Sequence, residues 1–480
     1  MHLVLNLSVV AVTTLAIGLP SFAQGYDMPP DLPGAQTEDV TQVEGTTQPV
    51  PADPYDLPPS DAATADLSPS SFSIGENATL ELESRLFSNH SRDGDSSFSL
   101  RQQVHYFGSR SLGQAISLDY NLRARADWTE GQRFHFGDDF NIDVQELALS
   151  VAFNDQTSLR LGRINLRNGV AIGFNPTDWF RDNSLVLSGS AAAADRRNER
   201  LGVVAVTGTT SIGRTLVQVG YRPKITAGSG SIWSDKDTIG LGLDRTNATE
   251  AAFVKITPDF GTNLSVTANA LLLDGEPGFG VEVSGTLGDN LVLYAEAMGQ
   301  RRQSLASEAL ANGVGSASFR AGLGADAGTN WYGQSAIGLN WALPQKWVGA
   351  RDISLTFEHH YSGAGLSGAQ IETLAAASGP DGAAAGALYQ LANRRQDPLA
   401  RQQLFARLAW NDIWSDADLS LLAYYVPADD SGLGQVALDV PITQAATLNL
   451  RAMHAFGDKM SVYGASPNKT SVQAAVLWRF

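Results

Sequence analysis

The segment 115–128 constrains the chain most, because its side chains alternate without a slip from end to end. Ile116, Leu118, Tyr120, Leu122, Ala124, Ala126 and Trp128 fall on one face, and Ser117, Asp119, Asn121, Arg123, Arg125 and Asp127 on the other. A period of two is that of a β-strand and excludes an amphipathic helix. In a water-soluble sheet the apolar face packs on a core. In a transmembrane barrel the same pattern turns the apolar face to lipid and the charged face to the lumen.

The pattern recurs along most of the chain. Strands are expected at 78–87, 98–107, 142–153, 158–166, 200–207, 215–221, 251–256, 263–273 and 279–287. They continue at 291–300, 331–342, 353–361, 402–410, 417–426, 435–440, 447–455 and 472–480. With 115–128 this makes about 18, many of them near the roughly 9–11 residues that a tilted strand needs to cross a bilayer. Charged residues are 17% of the chain, below the roughly 25% usual for soluble domains. No apolar run beyond the N-terminus reaches a helical span of about 18 residues, so a membrane protein of this kind must be a barrel.

The connections make the stronger argument. The short ones at 110–113, 154–157, 258–262, 288–290 and 441–443 all fall on one side of the expected sheet. The longest, 167–199, 224–249, 301–330 and 362–401, all fall on the other. Short periplasmic turns and long extracellular loops are the habit of outer-membrane barrels. The expected fold is therefore all-β: a transmembrane antiparallel up-and-down β-barrel over 77–480, with both termini periplasmic. Aromatics near strand ends, among them Tyr106, Trp331, Trp341, Trp410 and Trp478, suit interfacial girdles. Parity slips near Gln145-Glu146 and near Gly162-Arg163, where β-bulges are the economical explanation.

Residues 1–23 form an apolar leader ending in Ser21-Phe22-Ala23, the small-x-small pattern of a secretory signal peptide, although its start carries only His2 and no Lys or Arg. Residues 24–76 hold acids from Asp27 to Asp66 with no basic residue, and nine prolines from Pro29 to Pro69. Such a stretch cannot build a core and is expected to be a disordered periplasmic tether. It is too short and too polar for a folded plug. The net charge of −17 argues against a nucleic-acid partner, and the absence of cysteine removes disulfide and thiolate chemistry.

Turning the polar faces inward yields a set of candidate pore-lining residues. The acids are Glu81, Glu83, Asp119, Asp127, Glu146, Glu296 and Glu358, and the bases are Arg85, Arg101, Arg123, Arg125, Arg160, Arg407 and Arg451. Arg101, Arg123, Arg125 and Arg160 belong to strands that are neighbours in sequence and should form a ladder on one wall. Such a ladder either faces an anionic solute or pairs with Glu81, Glu83 and Glu146 to brace the wall. The segment 161–181 is the most distinctive. Gly169 and Gly173 permit tight backbone, Asn175-Pro176 begins a turn, and Asp178 can accept from amides in that turn. Trp179 and Phe180 need burial, and the barrel mouth is the convenient place. This loop is expected to fold inward as a constriction, with Arg163, Arg167 and Arg181 nearby. A loop packed over the rim is the competing reading.

The leader, about 18 strands, the arginine-studded lumen and the Gly162-Arg-Ile-Asn-Leu-Arg-Asn-Gly169 segment together resemble the large outer-membrane porins and, loosely, the alginate-export barrels. The resemblance covers Asn77 to Phe480. It implies passive, electrostatically guided diffusion or export of a small or polymeric solute, anionic or sugar-like, without a cofactor. The last strand, with Val472, Ala474, Val476, Trp478 and Phe480 on one face, resembles the closing strand that the barrel-assembly machinery reads. Lipid of the outer membrane and that machinery are thus the expected partners. Adjacent His359 and His360 point to opposite faces and make no metal site, and no hydrolase or nucleotide motif stands out. The segment 368–394, with Ile371, Leu374, Leu388 and Leu391, suits a short helix in the longest loop, solvated by default and otherwise a lid or a partner-binding surface. A closed barrel whose loops bind a partner is the alternative to a channel, and a barrel hydrolase comes third.

Overall fold

A computed structural model describes residues 78–480 except 183, 185–188, 227–240, 262, 326–327, 350 and 415. The leader and the acidic tether lie outside the described residues. Eighteen strands are present: β1 (Ala78–Ser91), β2 (Ser96–Ser111), β3 (Ile116–Thr129), β4 (Phe140–Asn154), β5 (Thr157–Ile164), β6 (Val203–Ile212), β7 (Thr215–Arg222), β8 (Ala251–Pro258) and β9 (Leu264–Leu273). They continue as β10 (Glu276–Leu287), β11 (Leu291–Arg302), β12 (Asn330–Ala342), β13 (Asp352–Ser362), β14 (Gln402–Asn411), β15 (Asp418–Val426), β16 (Ser431–Thr443), β17 (Ala446–Phe456) and β18 (Asn468–Arg479). Each overlaps a segment expected from alternation. Each pairs antiparallel with its neighbours in sequence, and β1 pairs with β18, so the sheet closes on itself. At the seam Phe480 and Leu80 exchange backbone hydrogen bonds of 2.9 and 3.2 Å. Closure removes every open edge, which is what allows a sheet to stand in lipid.

The faces sort as the alternation requires. Leu86, Phe279 and Ile337 are 59%, 60% and 58% exposed on the outside, while Glu81, Glu83, Gln103 and Arg123 are buried inside. An apolar exterior around a polar interior is stable only where the exterior meets hydrocarbon. The bulge expected near Gln145 is present: the β3–β4 register breaks between Asn121 and Leu122, leaving Gln145 unpaired in the ladder. The second expected bulge is absent, because β4–β5 runs in register from Leu147↔Arg163 to Ala152↔Ser158. Gly162 absorbs the local distortion instead, at φ +129, where a Cβ would lie 2.3 Å from the Leu147 carbonyl oxygen.

The connections 165–202, 223–250, 303–329 and 363–401 lie at one end of the barrel, while 155–156, 213–214, 288–290 and 444–445 lie at the other. The segregation is one-sided, since 92–95, 274–275 and 427–430 are also short at the long-loop end. Over part of that end the loops build a helical cap from Leu305–Ala309, Ala317–Gly322, Gly368–Ala375 and Pro380–Arg395. Ser304 and Ser316 accept from the amides of Ser307 and Phe319, and Ser367 forms a capping box with Gln370. The segment expected to be one solvated helix is thus two helices. Ile371, Leu374, Leu388 and Leu391 are buried with Leu305, Phe319, Leu323 and Leu366 in a small aliphatic core.

Candidate functional site

The loop 165–202 leaves the rim and enters the barrel, where two carboxylates hold it. Glu296 on β11 accepts the amides of Val170 (2.7 Å) and Ala171 (3.4 Å). Glu358 on β13 accepts those of Ile172 (2.6 Å) and Gly173 (2.9 Å), and also binds the Tyr294 hydroxyl and the ring of His360. Four successive amides, with no helix or sheet to satisfy them, are thereby paired inside the lumen. Glycine is required at 169, where φ is +96 and a Cβ would lie 2.6 Å from Glu296 Oε2 and from the Asn175 amide.

The next residues lock the turn. Asn175 donates to the Ala171 carbonyl, and Asp178 faces Arg200 through contacts of 2.8 and 3.1 Å. Both members of that pair are 1% exposed. The Asp178 carboxylate therefore serves a guanidinium, not the turn amides expected of it, because a cation buried so completely requires an anion at contact. Arg200 also grips Asn165 and the Leu166 carbonyl, fastening the two ends of the loop together. Trp179 and Phe180 are buried against Phe253 on β8, and the Trp179 indole nitrogen points at the sulfur of Met298. Arg181 binds Asp397 at 2.6 Å and stacks over Phe174. Arg163 is held by the carbonyls of Gly202 and Leu241, and Arg167 donates to Asn198.

Beyond the turn the loop touches the remaining walls. Tyr424 on β15 donates to the Gly173 and Ala191 carbonyls, Gln435 on β16 accepts from the Ala191 amide, and Gln473 on β18 donates to the Gly189 carbonyl. The short helix Ala193–Asn198 and the residue after it carry Asp195, paired with Arg451 on β17 at 3.2 Å, and Glu199, paired with Arg123 on β3 at 3.3 Å. From β8 through β18 to β3, the loop spans the lumen.

The wall β1–β5 carries the arginine ladder, and each of its guanidinium groups meets a carboxylate. Arg85 binds Glu83 at 2.6 Å, Arg101 and Arg125 share Asp127 at 2.7 and 3.2 Å, and Arg160 lies 2.6 Å from Glu146 and 3.3 Å from Asp119. Glu81 is paired with Arg479 at 2.9 Å. Asp143, buried amid Arg123, Arg125 and Arg163, was not among the sequence candidates. Its inward parity on the strand 142–153 was the available signal. Arg407, across the lumen, donates to Ser420 at 3.4 Å. His360 is buried and bound to Glu358, whereas His359 is exposed. Among the described residues no group of three or more His, Cys, Asp or Glu side chains is arranged to hold a metal ion.

A further ionic knot joins loop and cap. Asp397, just past the Pro380–Arg395 helix, contacts Arg181 at 2.6 Å and Arg302 at 2.9 Å. Burial works to raise its carboxyl, but Arg302 and Arg181 overcome that and hold it well below the usual carboxylate range. Beside it Arg395 binds Asp182 at 3.0 Å and Glu308 at 2.6 Å.

No protein-family model matches the sequence, and no curated protein matches it either. Solved structures with a similar course of the chain include Pseudomonas aeruginosa OccK11 (OpdR), at 8% identity and a TM-score of 0.47, covering 84% of this chain and 95% of that one. P. aeruginosa OpdK with vanillate gives 9%, 0.48, 84% and 98%, and Acinetobacter baumannii OccAB2 gives 11%, 0.47, 84% and 97%. The likeness is distant, and the barrel rests on its own closed ladder of strand pairs. The alginate-export resemblance has no counterpart among these three.

Proposed function

We propose that the protein is an outer-membrane channel that passes small polar solutes, with its waist between the inward loop 165–202 and the wall β1–β5. One observation carries this reading: the loop is bound across the lumen while some charged side chains of the wall β1–β5 stay partly open to water beside others that are buried. Arg101 and Asp127 are 20% and 30% exposed, and Asp119 is 26% exposed. A plugged lumen would have no use for hydrated charges there. The outward apolar face, the closed seam and the short-turn end at which both β1 and β18 begin and finish support an outer-membrane barrel with periplasmic termini. On that reading the last strand and Phe480 are what the assembly machinery engages, and the acidic tether lies in the periplasm.

Between an anionic and a sugar-like permeant, the pairing of the guanidinium groups favours the second. A ladder whose cations are each matched by a carboxylate offers alternating donors and acceptors and little net attraction for anions. The candidate pore-lining residues Arg101, Arg123, Arg125, Arg160, Glu81, Glu83, Asp119 and Glu146 are then both brace and path. Planar-bilayer recording in a salt gradient tests this, comparing wild type with Arg123→Ala/Arg125→Ala. Discrete channels are expected, shifting toward cation preference in the variant as Glu199 loses its partner and Asp127 and Asp143 keep only Arg101 and Arg163. Absence of conductance from a folded barrel would overturn the channel. The alternative, a closed barrel that binds a partner through its loops, would then take its place, the helical cap with its own core being the surface to test.

A further inference from the structure

At the short-turn end one connection differs from the rest. Between β12 and β13 the helical turn Gln345–Val348 carries Lys346 and a tryptophan, Trp347, that is 61% exposed. Strand parity shows what lies beneath. Ile337 and Phe357 mark the outward faces of β12 and β13, so Trp341 faces outward with Ile337, and Ile353 and Leu355 face outward with Phe357. Trp341 pairs with Leu355, and Trp410 on β14 pairs with Ile353. The two indoles thus flank β13 two strand spacings and two residues apart, about 12 Å, over a floor of Ile353 and Leu355.

One cation lies over Trp410 and another over Trp347, which itself packs on Trp341. Trp347 stands edge-on against Trp341 at 5.3 Å, with the Lys346 ammonium 5.7 Å from its ring centre, and the Arg351 guanidinium lies 5.6 Å over Trp410. Neither cation has a carboxylate partner among the described residues. Arg214, at the same end, is taken by Asp259 at 2.9 Å, and Asp352, next to Arg351, accepts from Asn411 at 2.7 Å. Both cations are exposed, stacked on tryptophans and without an acid among the described residues, so they are free to meet an outside anion. Tryptophan with lysine or arginine settles at the headgroup layer of a bilayer, where ring and charge are both served. The neighbouring connection bears Asp412 and Asp416, so long-range attraction is weak and contact must do the binding.

We infer that this aromatic and basic patch binds the headgroup of one anionic phospholipid, its phosphate drawn to Lys346 and Arg351 and an acyl chain along Leu355 and Phe357. The inference depends on the barrel standing in a bilayer and not on conduction, so it survives or fails independently of the channel. Native mass spectrometry of the full chain, released from detergent with equal phosphatidylglycerol and phosphatidylcholine, provides the test. Wild type should retain one phosphatidylglycerol in preference. Lys346→Gln/Arg351→Gln should lose that preference severalfold, and Arg214→Gln should keep it. Heat-modified gel mobility confirms that each variant is folded, and Arg351→Gln alone serves if the double variant is not. Equal retention of the two lipids by wild type, or a preference unchanged in the folded variant, would overturn the site.

Discussion

The inward loop is held in two different ways along its length. From Asn165 to Arg181 it is fastened by fully buried groups, with Glu296 and Glu358 on its amides, Arg200 on Asp178 and Phe253 against Trp179 and Phe180. From Gly189 to Glu199 it is held by single contacts whose acidic members, Asp195 and Glu199, are each 29% exposed. Charge is used differently in the two halves. Buried, it fixes a conformation because an unpaired partner is intolerable; half-exposed, it sets a field and contributes little to the fold.

That contrast can be broken most directly at Asp178. Asp178→Ala strands Arg200 in a dry site and should destabilise the barrel by about 3–5 kcal/mol, read as a lowered midpoint in urea. Equal stability would show that the deep half is not the rigid one. Glu358→Ala leaves two amides and the Tyr294 hydroxyl without an acceptor, at about 1–3 kcal/mol for each group that water fails to reach. Protease cleavage within 165–181 of the folded barrel should appear in this variant and not in wild type.

Acid tests the same distinction at the cap. The Asp397 carboxyl is held below its unfolded value, so its contribution is complete above about pH 4 and is lost as pH falls through the lower, folded value. The cap should therefore become protease-sensitive on strong acidification while the strands stay protected from hydrogen exchange. A smaller structural effect than at Asp178 is expected from Glu199→Gln and Asp195→Asn in the unfolding midpoint, because the neutral side chain can still accept from Arg123 or Arg451 and is itself partly open to water. Their reversal potentials should nevertheless move toward anions. Unchanged selectivity would remove the field argument from the shallow half.

How much of this was legible in advance follows from what each feature depends on. Every strand was visible because a barrel wall has one apolar and one polar face, and both are written at period two. Inward parity alone identified Glu296 and Glu358 as lumen residues. Their work was hidden, since the amides they hold lie more than a hundred positions away in sequence. Asp178 was given to its own turn because local partners are the ones a sequence displays, whereas Arg200 reaches it only after the loop has folded back. The cap was half visible: Ile371, Leu374, Leu388 and Leu391 mark a buried face, but nothing local indicates that Leu305, Phe319 and Leu323 cover it. The arginines show the same limit. Their positions were plain, but whether each meets a solute or a carboxylate was decided by neighbours across the sheet.

The seam between β1 and β18 has a bearing on time as well as on shape. Glu81 and Arg479, paired across it, are 398 positions apart, so the contact that closes the wall is among the most expensive in loop entropy and belongs late in folding. Until it forms, the edges of both terminal strands offer unpaired amides and carbonyls to any passing strand. The interval before closure is therefore when the chain is most vulnerable to aggregation. The rate of that last pairing, more than the stability of the finished barrel, should set how much protein reaches the membrane intact.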